Sequence, residues 1–180
     1  MSNQLHSISS YRFSQTDVLL FDTNVWLYIY GPMGEQYPRY RATYTLALIR
    51  SRAAKARILL DVLVLSEFIN AYARFIYNQL PAATKPAEFK TFRKSADFQP
   101  IGEEIARQSE KVIERCELIE SGFTRVNLRE MIGDYAAGQC DFNDQILVEL
   151  CKANELKLVT HDSDFKNADV TVITANPRYF

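Results

Sequence analysis

Leu158-Val159-Thr160-His161-Asp162-Ser163-Asp164-Phe165 is a short apolar run that ends on a hydroxyl, a histidine and two acids. Its first half has the length and composition of a buried strand, so Asp162 is predicted to stand at that strand's carboxyl end. Upstream, Ile146, Leu147, Leu150 and Cys151 recur at helical spacing, which predicts a helix from Asp144 to Asn154. A second apolar run, Val18-Leu19-Leu20-Phe21, likewise leads into Asp22-Thr23-Asn24. Two strands ending on acids, with helices between, already point to a parallel sheet.

The rest of the chain fits that reading. Strands are predicted at 58–62, 118–119, 157–160 and 170–174, beside 18–21. Helices are predicted at about 40–55, 66–78 and 127–137, with Gly138 placed to stop the last. Ile101, Ile105, Val112, Ile113 and Cys116 mark one buried helical stripe. Helices alternating with short apolar strands imply an α/β fold: three layers, α/β/α, around a central parallel sheet. Residues 1–16 are polar and serine-rich and are expected to form a loose N-terminal arm; 17–180 are expected to form one domain.

Acidic side chains stand where a solvated charge would not. Asp22 and Asp162 follow strands, and ligands of open α/β sheets bind in the crevice outside the carboxyl edge. Asp144 lies on the apolar stripe of its helix, and Asp141 is one turn earlier on the same side. Glu67 borders the face made by Val64, Phe68, Ala71, Tyr72 and Phe75. Each also has a local explanation: Asp caps helices and makes turns, and Glu favours a helix's first turn. Carboxylates brought together repel one another unless a cation holds them. Hard oxygen donors suit Mg²⁺ or Mn²⁺, which implies metal-dependent chemistry on phosphate esters.

Composition sets outer bounds. The chain has 180 residues, 47% hydrophobic and 24% charged, as in an ordinary globular domain. A net charge of −1 excludes a nucleic-acid binder that works by bulk charge. Local basic sets remain: Arg39, Arg41, Arg50, Arg52, Lys55 and Arg57 in one segment, and Lys85, Lys90, Arg93 and Lys94 in another. Of these, Arg50, Arg52, Lys55 and Arg57 are expected to contact a nucleic-acid backbone, with Tyr37, Tyr40, Tyr44 and Phe92 stacking on unpaired bases. Cys116, Cys140 and Cys151 have no metal-type spacing and are expected to be buried free thiols. No segment resembles a signal peptide or a membrane span, so a cytoplasmic protein is expected. His161 is expected on the solvent side of its motif. No glycine-rich phosphate loop is present, and Asp22-Thr23-Asn24 lacks the second aspartate of aspartyl phosphohydrolases.

The segments Leu19-Leu20-Phe21-Asp22-Thr23-Asn24, Ser66-Glu67, the helix opened by Asp144, and Leu158 to Phe165 together resemble the PIN-domain nucleases, among them the VapC-type toxins. The resemblance spans roughly residues 17–175. It implies a PIN-like fold and an Mg²⁺- or Mn²⁺-dependent endoribonuclease, with Asp22, Glu67, Asp144 and Asp162 as the catalytic, metal-holding quartet. Asp164 would be an accessory metal ligand, and Asn24, Thr160 and Asp141 would support the ligands from behind. It further implies an RNA substrate, an antitoxin protein as partner, a homodimer and no membrane. The competing reading is a catalytically inactive PIN-fold module that binds RNA or protein.

Overall fold

Every strand pairing in the sheet is parallel. The strands are β1 (Leu5–Ser7), β2 (Val18–Phe21), β3 (Arg57–Leu60), β4 (Glu117–Leu118), β5 (Lys157–Val159) and β6 (Thr171–Thr174). Their order across the sheet is β1-β6-β5-β2-β3-β4. The computed structural model describes residues 4–122, 124, 126–138 and 141–180. Cys140 lies outside the described residues; Cys116 is half-buried and Cys151 buried, both as free thiols. None of the described helices is long and apolar enough to cross a membrane.

Topology places the site. The chain steps from β2 to β3 to β4, then returns past them to β5 and on to β6. The first steps run through α1 (Thr23–Ile29), α2 (Met33–Gln36), α3 (Pro38–Ala53), α4 (Val62–Gln79), α5 (Phe89–Phe92) and α6 (Gln99–Ile113). The return runs through α7 (Leu128–Ala136) and α8 (Phe142–Ala153). Right-handed crossovers in opposite directions put α1–α6 on one face and α7–α8 on the other. The result is a three-layer α/β/α fold. Between β2 and β5 the winding reverses, which opens a crevice at their carboxyl ends.

Local chemistry explains the element boundaries. Leu19, Leu20, Phe21, Leu158, Val159, Val172 and Ile173 are almost wholly buried, as a sheet covered on both faces requires. Strand β3 stops before the expected Asp61-Val62, because Asp61 leaves the sheet to cap α4, its Oδ1 accepting the Leu63 N–H at 2.7 Å. Asp141 caps α8 in the same way, accepting from Asn143 N at 2.8 Å. Gly138 follows α7 at φ 69°, the left-handed turn that ends a helix.

The N-terminal segment is not a loose arm. Its Leu5, His6 and Ser7 pair with Val172, Ile173 and Thr174 as an edge strand, and Ile8 is buried. Serine-rich composition hid this, because an edge strand of three residues carries too short a pattern to read.

Candidate active site

Parallel register brings β2 and β5 to the same level. Phe21 pairs with Val159, so the next residues, Asp22 and Thr160, emerge together at the carboxyl edge. Asp22 is the residue before α1, yet its side chain caps nothing. Instead its Oδ2 accepts the Thr160 hydroxyl at 2.6 Å and a hydrogen bond from the Asn24 amide. Asn24 Nδ2 also reaches Thr160 Oγ1 at 3.2 Å, and its Oδ1 accepts His161 N at 2.9 Å. Thr160 Oγ1 in turn accepts Asp162 N at 2.9 Å. The expected supporting pair, Asn24 and Thr160, thus fixes both Asp22 and the backbone that carries Asp162.

Glu67 arrives from the other side. It lies in the second turn of α4, and Thr23 Oγ1 stands 3.1 Å from its Oε2 and 3.2 Å from Val64 O. Asp144 enters from the first turn of α8 and is half-buried. Asp164 is exposed, its N–H donated to Asp162 Oδ1 at 3.0 Å. Asp141, whose role the sequence left open, is the cap of α8 and also stands close enough to raise its neighbours.

The acids feel one another. Asp22, only 5% exposed, is pushed up to about 6, first by burial and then by Glu67 and Asp162, against the Thr160 hydroxyl. Asp144 is pushed up to about 7 by burial and then by Asp22, Asp162, Asp141 and Asp164. Glu67 is raised by desolvation of its carboxyl end and by Asp141 and Asp162, with Thr23 opposing. Hard carboxylates that cross-inhibit each other's ionisation are a fitting donor set for a divalent cation. Among the described residues no three such side chains are yet drawn close enough to enclose one. Binding an ion would require their carboxyl ends to close in.

A pH dependence follows. Asp22 and Asp144 in the folded chain keep protons that the unfolded chain releases, so stability declines as pH rises from about 4 to about 7. Asp22 alone accounts for roughly 3 kcal/mol. In chelator, the melting temperature is expected to fall by roughly 10 °C between pH 5 and pH 7.5, and Mg²⁺ at pH 7.5 to restore part of it. A melting temperature that climbs over that interval would show that the acids are not crowded.

Not every predicted residue reaches this edge. Helix α3 runs back along the sheet, so Arg50, Arg52, Lys55 and Arg57 lie at the amino edge, separated from the acids by the length of β3, roughly 10 Å. Arg50 is committed to the N-terminal segment, donating to the backbone carbonyls of Ile8, Ser9 and Tyr11. Arg57 pairs with Glu117 at 2.7 Å. Arg52 and Lys55 are exposed but on the wrong edge. Tyr44 and Phe92, expected to stack on bases, are buried in the core. His161 is not solvent-side either: half-buried, it packs on Tyr28, Tyr40 and Tyr44, with Nδ1 2.9 Å from the Tyr44 hydroxyl.

Three further residues stand at this edge, and two of them, Thr23 and Tyr179, carry no pattern that singles them out in the sequence. Thr23 holds Glu67, Tyr179 donates to Asp162 O, and Asn176 Nδ2 donates to His161 O at 2.6 Å. Asn176 comes two residues after β6, a signal of the same kind that marked Asp162.

The model of a family described as the PIN domain matches residues 19–170. Among solved structures, VapBC2 from Rickettsia felis, crystallised with a DNA fragment from their promoter, is similar at a TM-score of 0.52 and 14% identity. The match covers 87% of this chain and 98% of that one. PAE2754 from Pyrobaculum aerophilum is similar at 0.51 and 15% identity, covering 94% of this chain and 90% of that one. At those identities the likeness is one of fold. No curated protein matches.

Proposed function

The chain belongs to the PIN-domain family, and on that premise we propose that it is an endoribonuclease that hydrolyses RNA phosphodiesters with a divalent metal ion, Mg²⁺ or Mn²⁺. One observation carries the reading: at the switch point of the sheet Asp22, Glu67 and Asp144 are each held above the ordinary carboxylate range by burial and by neighbouring acids, the charge of Asp162 among them. A fold gains no stability from such an arrangement. Its use lies in holding cations and protons.

Asp22, Glu67, Asp144 and Asp162 would hold the ion, with Asp164 at its rim. When bound, the ion supplies charge neutralisation at the phosphate and favours hydroxide at the attacking position. The chain's own residues do the rest. Thr160 and Asn24 clamp Asp22 through a single oxygen, Oδ2, and so fix the orientation of its carboxyl group. Asp22 or Asp162 accepts a proton from the attacking water as its oxygen bonds to phosphorus. The bond from phosphorus to the 3′ oxygen breaks, that oxygen takes up a proton, and the phosphate stays on the 5′ side.

The same proposal includes an antitoxin protein as partner, a homodimer and a cytoplasmic setting. Support for the partner is a groove of about 910 Å³ beside the acids, lined among others by Asp134, Asp141, Asp144, Glu149 and Asp164. Such a surface complements a cationic protein segment.

Purified protein is expected to cut a mixed RNA pool with Mg²⁺ or Mn²⁺ and not with EDTA, and an Asp144→Asn chain purified in parallel is expected to cut under neither condition. RNA bound but never cut, whatever the metal, would replace the enzyme with a binding module.

A further inference from the structure

A cavity of about 440 Å³ opens directly beside the acids and shares Asn24 and Asp162 with them. That volume is within the range of small-ligand sites, roughly 300–1,000 Å³. Its lining includes Tyr28, Tyr37, Tyr40, His161, Asn176 and Arg178. The rings form one cluster: Tyr40 is 4.2 Å from His161, 5.5 Å from Tyr28 and 6.3 Å from Tyr37, centre to centre. Tyr28 is buried and His161 is anchored from behind by Tyr44, so these two rings are held in place by packing and a hydrogen bond. Gly34 tightens them further. A Cβ there would stand 2.3 Å from Tyr28 O, so only glycine lets α2 close on α1 and bring Tyr37 to Tyr28.

The fold does not use all of this surface. Tyr37 remains 42% exposed. Arg178 is exposed and makes no ion pair among the described residues. A polyanion repelled by the acids needs its affinity from nearby, and the cations first expected to supply it lie on the opposite edge. An aromatic wall and a free guanidinium within one small cavity match the two parts of a nucleotide, a flat base and a phosphate.

We propose that this cavity receives one unpaired nucleobase of the substrate strand, next to the phosphate held at the acids. The base stacks on Tyr40 and Tyr37, and Arg178 meets the phosphate of the same nucleotide. This rests on the acid cluster being the cleavage site. It makes the enzyme selective for single strands, because a base still in a duplex cannot turn its face into the cavity.

The test is binding of a short fluorescent single-stranded RNA, by anisotropy in EDTA so that nothing is cut, with one abasic position moved along the strand. At one position the missing base is expected to weaken binding to the wild-type chain roughly 5- to 150-fold. Tyr40→Ala should weaken intact RNA by a similar factor and be indifferent to that abasic position, and Tyr40→Phe should recover most of the lost affinity. Arg178→Ala, at an exposed site that spares folding, should reduce the salt slope of binding by about 1. Wild-type affinity in Tyr40→Ala, or an abasic penalty that survives in it, overturns the proposal and leaves a protein partner as the occupant. Cleavage without Tyr40 dependence sinks the base site alone. Tyr40-dependent binding in a chain that never cuts sinks the nuclease reading alone.

Discussion

Asp22→Asn is expected to lose cleavage by roughly 10³-fold or more while the metal-free chain melts higher than wild type at pH 7.5. Both effects come from one carboxylate. Asp22 is buried, and Glu67, Asp162 and Asp144 all act on it or are acted on by it. Asparagine keeps the shape and can still accept the Thr160 hydroxyl and the Asn24 amide on its oxygen. What disappears is the charge that burial and its neighbours penalise. The gain should be about 3 kcal/mol, or roughly 6–12 °C at this chain length, and it should shrink to about half at pH 5 and vanish only below about pH 4, where the unfolded carboxyl is protonated as well. A loss of activity accompanied by a lower melting temperature would make Asp22 a structural residue. Retained activity would remove it from the chemistry.

Which parts of this molecule the sequence announces follows from how many independent patterns mark each residue. Asp22 and Asp162 are legible because an apolar run fixes a strand and a strand fixes its carboxyl end. Asp144 is legible because helical periodicity puts it on a buried stripe, and its half-buried position bears that out. The helix from Pro38 to Ala53 is legible too, and its direction relative to the sheet follows from the topology. A βαβ crossover helix runs antiparallel to the strands it joins. Cations late in α3 therefore belong at the amino edge, and Tyr40, early in α3, belongs at the carboxyl edge. The same reasoning would have separated Arg39 and Arg41 from Arg50 and Arg52. Tyr44 and Phe92 could not be placed from periodicity alone, since an aromatic residue reads alike in a core and on a binding face. The edge strand at Leu5–Ser7 was illegible for a different reason: what holds it is a set of contacts with residues far along the chain.

Asp17→Ala is expected to destabilise the protein by roughly 3 kcal/mol and to loosen the segment before β2 while sparing the cleavage chemistry. Asp17 is 2% exposed and is the centre of the opposite, amino edge. Its Oδ1 accepts Lys157 Nζ at 2.6 Å and the Tyr11 hydroxyl at 3.1 Å, and its Oδ2 accepts Ser14 N at 2.9 Å. Lys157 Nζ also donates to Tyr11 Oη at 2.9 Å. Burial alone would raise the Asp17 carboxyl, but Lys157 and the Ser14 N–H outweigh it and hold it below the usual range. A lowered carboxylate adds stability above its unfolded pKa of about 4 and loses it as pH falls further. That sign is opposite to the acid cluster's, so the two edges together set a stability maximum near pH 4. Alanine leaves an ammonium, a phenol and an amide without their common acceptor. Lys157 is partly exposed and can turn to water, which keeps the cost near the lower end for a broken buried pair. If the network is the cause, Lys157→Met should cost far less in an Asp17→Ala background than in wild type. Amide exchange at Leu5, His6 and Ser7 should quicken, because the loop from Tyr11 to Asp17 ties β1 to β5. Additive costs and unchanged exchange would mean that β6 alone holds the N-terminal strand, and that the buried ion pair is an ornament of the fold and not its clasp.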